Sequence, residues 1–512
     1  MNGLATCLMI QGTASGVGKT VLTAALCRLL ARAGFRVAPF KSQNMALNAA
    51  VTADGLEIGR AQAAQAEAAG IEPTVDMNPI LLKPEGDDRS QVVVAGVPRG
   101  SFAFADYRRL RTELLTVVEA SLARLREAHD VVIIEGAGSP AEINLNDGEI
   151  VNMRIARLAD APVVLAGDID RGGVFAAFVG TLALLDPVDR ERVRAFVINK
   201  FRGNPELLTS GLDTLRERTG RPVLGVVPYI DDVPVPAEDS LDLDGRQAPV
   251  AADLDVAVIR IPRIANFDDF EPLAREPRVR VRFVRDPGEL AAADLIVFPG
   301  SKNTTGDLAW LRATGLADAV VTAAKAGRPV LGVCGGYQML GETLRDPLRI
   351  ESAADEVKGL GLLPVVTTFA PAKTTVRVSA RATSKAGPFA RACGTALSAY
   401  EIHMGLTERH GGDHPFTVTR RNGVATEHAD GSMNARGNVL GTYLHGLFAN
   451  DGLRRALLVE LAAPKGLTPD PRWGRSSDAD RYDRLADVVG SALDLRLLAQ
   501  LLRVDPRRLS SS

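Results

Sequence analysis

Cys334 is the residue whose surroundings most plainly announce chemistry. It lies in PVLGVCGGYQML, residues 329–340, where an apolar run enters G-V-C-G-G and continues into a helical pattern. Such a turn lifts a nucleophile out of a strand end, and the small Gly332 and Gly336 on either side permit its sharpness. A helix starting just after the cysteine favours thiolate, and the N–H of Gly335 is placed to face a developing oxyanion. FPGSKNT at 298–304 is a second glycine loop, from which Gly300 or Ser301 would give the other donor. The alternative is a buried structural cysteine in a glycine-rich turn. A thiol nucleophile needs a base. Of six histidines, His445 in GTYLHGLF ends an apolar strand about 110 residues further on, and His403 in AYEIHMG is its rival. His410 and His414 sit in the polar, loop-like ERHGGDHP.

A different chemistry is written at the other end of the chain. Residues 12–20 read GTASGVGKT, between a strand and a helix. Backbone N–H groups of such a loop, with the helix N-terminus behind them, cradle phosphate. Gly12, Thr13, Gly16 and Gly18 form the loop, Lys19 would reach the terminal phosphates, and Thr20 would ligate Mg²⁺. The usual spacing, G-x4-G-K-[ST], calls for glycine at 13, where this chain has Thr13. The variant is similar to the loop of dethiobiotin-synthetase-like P-loop proteins. VVIIEGAG at 131–138 ends a buried strand in Glu135, either a second Mg²⁺ ligand or a solvated strand-end acid. Lys41 in APFKSQNMALN would neutralise γ-phosphate charge, and Asn199 in VINKFRG would hold the adenine edge. Asp54 in TADG is a further metal ligand or a plain turn residue. Asp168, Asp170 and Arg171 in GDIDRGGVF face substrate or metal, or else pair internally in a tight loop.

These residues need parallel sheets to position them. Apolar runs at 6–11, 36–40, 131–135, 162–167, 194–199 and 223–227 alternate with helical patterns, as in an α/β domain with a buried parallel sheet. This places a P-loop ATP-dependent domain at 1–230. The Pro- and Asp-rich stretch 231–253 reads as a linker, 254–450 as a second α/β domain of class I glutamine amidotransferase type, and 451–512 as a helical extension with a frayed tail. With 512 residues the chain is too long for one core. Its 60 basic and 62 acidic residues give no global drive towards nucleic acid or membrane. Four cysteines without CxxC spacing, no signal-peptide pattern and no long apolar run lead to the expectation of a reduced, cytoplasmic protein.

Taken together, GTASGVGKT, FKSQNMALNA, DGLEIGRAQ, EGAGSPAEINL, DIDRGGVF, PGSKNT, GVCGGYQMLG, YEIHMG and TYLHGLF closely resemble the cobyric acid synthase family, over about residues 6–460. The resemblance implies glutamine-hydrolysing amidation of a corrinoid polycarboxylate, with ATP, Mg²⁺ and glutamine. Carboxylates b, d, e and g of adenosylcobyrinic acid a,c-diamide would become amides, each by way of an acyl phosphate. Three other readings compete: cobyrinic acid a,c-diamide synthase, a P-loop switch ATPase without ligation, and a scaffold with a dead glutaminase. Triad glutaminases carry an acid two residues after the histidine. Here that position is Leu447, which leaves Glu401 in YEIHMG as the candidate to orient His445.

Overall fold

The computed structural model describes residues 3–85, 88–145, 148–233, 235–236, 252–352, 354–475 and 478–509. The chain divides into two compact units, one of residues 1–46, 57–236 and 477–512, the other of 47–56 and 237–476.

The first unit is built on six parallel strands in the order Val223–Pro228, Val193–Phe201, Val163–Asp168, Thr6–Gly12, Val131–Glu135, Val37–Phe40. The central runs CLMIQ, VVIIE and VVLAG are buried on both faces, which is why they read as continuous apolar stretches rather than alternating ones. The order reverses beside Thr6–Gly12, and ligands of open α/β sheets bind at the carboxyl ends of strands at such a point. A smaller sheet, absent from the sequence reading, joins Gln43–Met45, Ile80–Pro84, Arg89–Val94 and Val97–Ala103. Its last hairpin turns at Ala95 and Gly96, with φ of 46° and 78°, the two positive values a two-residue turn of this twist requires.

The expected extension 451–512 is not one piece. The helix Asp451–Ala462 packs Leu453, Leu457 and Leu458 into the second unit's core. The helices Asp478–Ala492 and Leu495–Leu502 bury Tyr482, Leu485, Val489 and Leu498 against Leu26, Leu29 and Leu30 of the helix Lys19–Arg32, in the first unit. Arg28 grips Asp483 through two hydrogen bonds of 2.8 and 2.9 Å. The tail expected to fray is anchored as far as Leu509, which is fully buried. Of the expected linker, 234 and 237–251 lie outside the described residues, whereas Val235 is buried in the first unit's core.

The second unit has a parallel sheet in the order Val279–Val284, Leu254–Ile259, Leu295–Phe298, Val330–Val333, Val439–Thr442, closed by the antiparallel edge Ser432–Met433. A separate sheet pairs the long strands Val365–Ala382 and Ala396–Arg409, then Phe416–Arg421 and Val424–Asp430. Among the described residues no helix is long and apolar enough to cross a membrane.

Candidate active sites

In the second unit Cys334 stands between the strand Val330–Val333 and the helix Gly335–Leu340 with φ 52° and ψ −111°. A non-glycine residue at positive φ is strained, and the crowding explains why it is held: a side chain at Gly336 would collide with the Phe298 carbonyl. The strand end carrying Gly300 and Ser301 pairs with Ile264–Ala265, and the Ser301 backbone lies directly against Gly335. The three expected oxyanion donors therefore belong to one corner. Ser301 is fixed there by its hydroxyl, which donates to Asp307 at 2.6 Å.

His445 is almost wholly buried, and its Nδ1 lies 2.7 Å from Asp269 Oδ2. The other Asp269 oxygen accepts from the Gly446 N–H at 2.9 Å, and Tyr400 stacks on the imidazole at 5.2 Å. Burial opposes charge on His445, yet the Asp269 carboxylate first, and the Cys334 sulfur after it, push its pKa up to about 10. Nε2 is buried without a hydrogen-bond partner, because the Cys334 thiol turns to the Ile402 carbonyl at 3.4 Å.

The acid on the His445 ring is Asp269, absent from the sequence reading, and not the expected Glu401. Burial opposes ionisation of Glu401, but His403 and Arg421, at 3.5 and 2.9 Å, hold its pKa below the usual carboxylate range. Its charge is spent there. His403 is engaged with Gly405 O at 3.2 Å and stacks on Tyr443. Asp269 comes from FDDF at 267–270, 176 residues before His445, and no local spacing marks it.

In the first unit Gly16 and Gly18 take φ of 71° and 95°, and Lys19 opens the helix. Lys19 Nζ donates to the carbonyls of Ala14 and Gly138 at 3.1 and 3.0 Å. Glu135, buried at its strand end, gathers three donors: Thr20 Oγ1 and Lys41 Nζ on one oxygen, both at 2.9 Å, and Gln65 Nε2 on the other at 2.6 Å. Hard oxygen donors of this kind, a hydroxyl beside a carboxylate, fit Mg²⁺, which keeps several waters and takes further ligands from phosphate. Among the described residues no three His, Cys, Asp or Glu side chains cluster as a metal site. The ion would therefore rest on Thr20, Glu135 and the nucleotide. Asn199 Nδ2 donates to Val17 O at 2.8 Å, pinning the phosphate loop, and its side chain leaves no room for anything but glycine at 18. Gly12 is walled by Val17 and Lys19, and Thr13 N bonds to Ala166 O at 2.9 Å.

Other expected residues are arranged differently. Asp54 is exposed in a turn closed by the Gly55 N–H donating to Thr52 O at 3.0 Å, the arrangement of a plain turn residue. Asp168 is taken by Lys200 at 2.9 Å and by Arg171 at 3.9 Å, and Asp170 by Arg202 at 3.2 Å. This is the internally paired loop. A cavity of about 590 Å³ opens elsewhere in the first unit, with Gly138, the carbonyl partner of Lys19, in its wall. Apolar Met45, Leu145 and Leu184 stand exposed there, with Arg89 and Arg111 among acids such as Glu142 and Asp186.

A Cys–His–Asp set in one unit and a glycine loop opening a helix in the other are what a glutamine-hydrolysing ligase carries, and family models agree. A CobB/CobQ-like glutamine amidotransferase domain matches residues 255–453, and a CobQ/CobB/MinD/ParA nucleotide binding domain matches 8–242. The chain is 55% identical to the cobyric acid synthase of Sorangium cellulosum, over 98% of this chain and 99% of that one. It is 49% identical to that of Dehalococcoides mccartyi, over 98% and 99%, and 48% identical to that of Pelotomaculum thermopropionicum, over 99% and 98%. The chain belongs to the cobyric acid synthase family.

Proposed function

We propose that this chain amidates carboxylates b, d, e and g of adenosylcobyrinic acid a,c-diamide, consuming one ATP and one glutamine at each. The observation that carries the reading is the pair of complete reaction centres on one chain of this family, the Cys334–His445–Asp269 set and the Lys19–Thr20–Glu135 set. Asp269 fixes the imidazole so that Nε2 takes the Cys334 proton, and the sulfur attacks the side-chain amide carbon of glutamine. The N–H of Gly335 and that of Gly300 or Ser301 stabilise the oxyanion. His445 returns its proton to the departing nitrogen, ammonia leaves, and water cleaves the thioester to glutamate.

A carboxylate is a poor electrophile, so its oxygen first attacks the γ-phosphorus of ATP, giving an acyl phosphate and ADP. Ammonia then displaces phosphate. Lys19 leaves its two carbonyl partners to hold the transferring phosphoryl group, and Lys41 lies one carboxylate away. Mg²⁺, when bound by Thr20 and Glu135, spreads the charge of that group. Asn199 keeps the loop in register for the nucleotide. The corrinoid is seated in the cavity beside Gly138 rather than at the 168–171 loop, whose charges are spent. Arginines in that wall suit carboxylates, acids suit primary amide N–H groups, and a rim substrate that must present four side chains in turn carries both.

Purified protein with ATP, glutamine and the a,c-diamide should release four glutamates per corrinoid, with partly amidated intermediates resolved by ion exchange and chased to product. Two glutamates per corrinoid from the unamidated hexa-acid, stopping at the a,c-diamide, would reassign the chain to the diamide synthase.

A further inference from the structure

The backbone that presents Ser301 to the cysteine is a very short ladder. Ile264–Ala265 and Gly300–Ser301 form a two-stranded sheet of their own, two pairs long. An isolated pair of strands is marginal by itself, yet the fit around this one is tight. A side chain at Gly300 would meet the Ala265 carbonyl at 3.0 Å and His445 Cε1 at 3.3 Å. One at Gly335 would meet the Ser301 backbone nitrogen at 2.9 Å. The register also sorts the donors. Lys302 gives its N–H to Arg263 O at 2.9 Å, and bonded and non-bonded pairs alternate along an antiparallel ladder. Ser301, opposite Ile264, therefore turns its N–H away from the partner strand, and that nitrogen borders Gly335.

One buried acid ties both strands together. Asp307 sits in the first turn of the helix Thr304–Ala313 and is 2% exposed. One of its oxygens accepts from the backbone N–H of Arg263, the residue before one strand, at 3.2 Å. The other accepts from the Ser301 hydroxyl, on the other strand, at 2.6 Å. That hydroxyl oxygen in turn accepts from the Asn303 N–H at 3.0 Å, and the Asn303 side chain caps the helix through the Gly306 N–H at 2.9 Å. The ladder is thus fastened to a helix rather than to a loop. Burial lifts the Asp307 pKa to about 6, so above that pH the group is ionised and accepts on both oxygens. Hydrogen bonds to an ionised acceptor are about twice as strong as neutral ones.

We propose that Asp307 is a positioning residue for the oxyanion hole: by clamping Arg263 and Ser301 to one helix it fixes the direction in which the Ser301 N–H meets the oxyanion formed at Cys334. The proposal rests on the glutaminase half of the function proposed above and asks nothing of the corrinoid. An N–H that is aimed before the reaction stabilises the tetrahedral intermediate more than the bound amide, so the contribution of Asp307 falls on kcat and not on the binding of glutamine.

The test compares the parent with Asp307→Ala and Asp307→Asn in the full chain. Glutamate release is followed against glutamine concentration, with ATP, Mg²⁺ and the corrinoid a,c-diamide present throughout. In parallel, alkylation of Cys334 by iodoacetamide is followed by mass spectrometry of the peptide that carries it. In that reaction the sulfur displaces iodide from a saturated carbon, so it needs the thiolate and no oxyanion hole. Asp307→Ala should lower kcat roughly 10- to 10²-fold, short of the ~10²–10³-fold cost of losing a donor outright. KM for glutamine should stay within about twofold, and Cys334 should alkylate within about threefold of the parent rate. Asp307→Asn keeps an acceptor for the Arg263 N–H and sets an N–H against the Ser301 oxygen, so it should recover much of kcat. An unchanged kcat in Asp307→Ala overturns the proposal, and so does an equal fall in alkylation, which is what a merely structural role produces. Should Asp307→Ala not fold, Ser301→Ala, which drops the held hydroxyl and keeps the backbone N–H, has to show the same split in smaller degree, and an unchanged kcat there overturns the proposal equally. A parent that releases no glutamate while Cys334 alkylates fails the glutaminase reading and the proposal with it, whereas an active parent matched by Asp307→Ala fails the proposal alone.

Discussion

Replacing Asp269 by asparagine changes two atoms and reverses a polarity. The side-chain oxygen can still accept from the Gly446 N–H, now at 2.9 Å, so the turn keeps one of its two anchors. The amide nitrogen then faces His445 Nδ1 at the 2.7 Å position and donates to it. That forces the proton onto Nε2, the atom that has to accept one from Cys334. The carboxylate also supplies the strongest upward pushes on the His445 pKa, so without it the value falls from about 10 to the ordinary ~6.5 or below. A fall of about three and a half units is about 5 kcal/mol of lost preference for imidazolium, an upper bound because the pair is fully buried. A charge-assisted hydrogen bond contributes about 1.5–3 kcal/mol by itself. Glutamine-dependent kcat/KM should therefore drop between roughly 10² and 10⁴-fold, the upper end being what a wrong imidazole tautomer costs in serine hydrolases. The assay is glutamate release in parallel with ammonium-driven amidation, which should be spared. An Asp269→Asn protein within about threefold of the parent, or a comparable loss on Glu401→Gln with Asp269→Asn active, would refute the assignment of the orienter.

Stability should follow the same proton. His445 titrates near ~6.5 when unfolded and about 10 when folded, so its contribution is whole below about pH 6.5 and is lost as pH rises through about 10. The gap in melting temperature between the parent and Asp269→Asn should narrow across that window. Cys334→Ala should abolish glutamine-dependent synthesis and keep the ammonium-driven reaction, and His403→Ala should retain both if His445 is the base. Lys19→Ala should lose about 10²-fold or more with either nitrogen source, because carboxylate activation fails. Leu509→Asp, which buries a charge in the first unit's core, should lower its thermal stability and impair ATP-dependent steps before glutamine hydrolysis.

The parallel sheets were legible because each strand is a continuous apolar run ending at a glycine, an acid or a polar loop, and all six runs proposed for the first unit form strands. Glu135 and Cys334 were legible because they sit at strand ends, and Lys19 and Thr20 because they open the helix after the loop of the first strand, places where sequence neighbours are also neighbours in space. Asp269 was not, because the contact that matters spans 176 residues and FDDF has neither a glycine turn nor a period to mark it. Glu401 was attractive only through its presence in YEIHMG. The small sheet of 43–103 escaped because its strands are short and interrupted by polar residues, with exposed side chains along Val97–Ala103. The closing helices were recognised as helices, but amphipathicity tells that an apolar face exists and not which core receives it.

Residues 3–46 and 478–509 both belong to the nucleotide-binding unit, with nearly all of the glutaminase unit between them in sequence. On a ribosome this sets a timetable. At about 5–20 residues per second, the stretch from 237 to 476 takes on the order of 10–50 s to emerge. Throughout that interval the helix that begins at Lys19 waits with Leu26, Leu29 and Leu30 uncovered, since Tyr482, Leu485, Val489 and Leu498, which cover them, follow residue 476. The glutaminase half is complete before the ATP half, so a nascent chain that stalls late holds a triad before it holds a finished ligase. Asn48 and Ala49, by contrast, are made early and must stay available for Phe267 and Asn266, more than 200 residues downstream. Cells that make this chain quickly need something to shield one amphipathic helix for tens of seconds, and clipping the helices of 478–502 would disarm the half of the protein that was synthesised first.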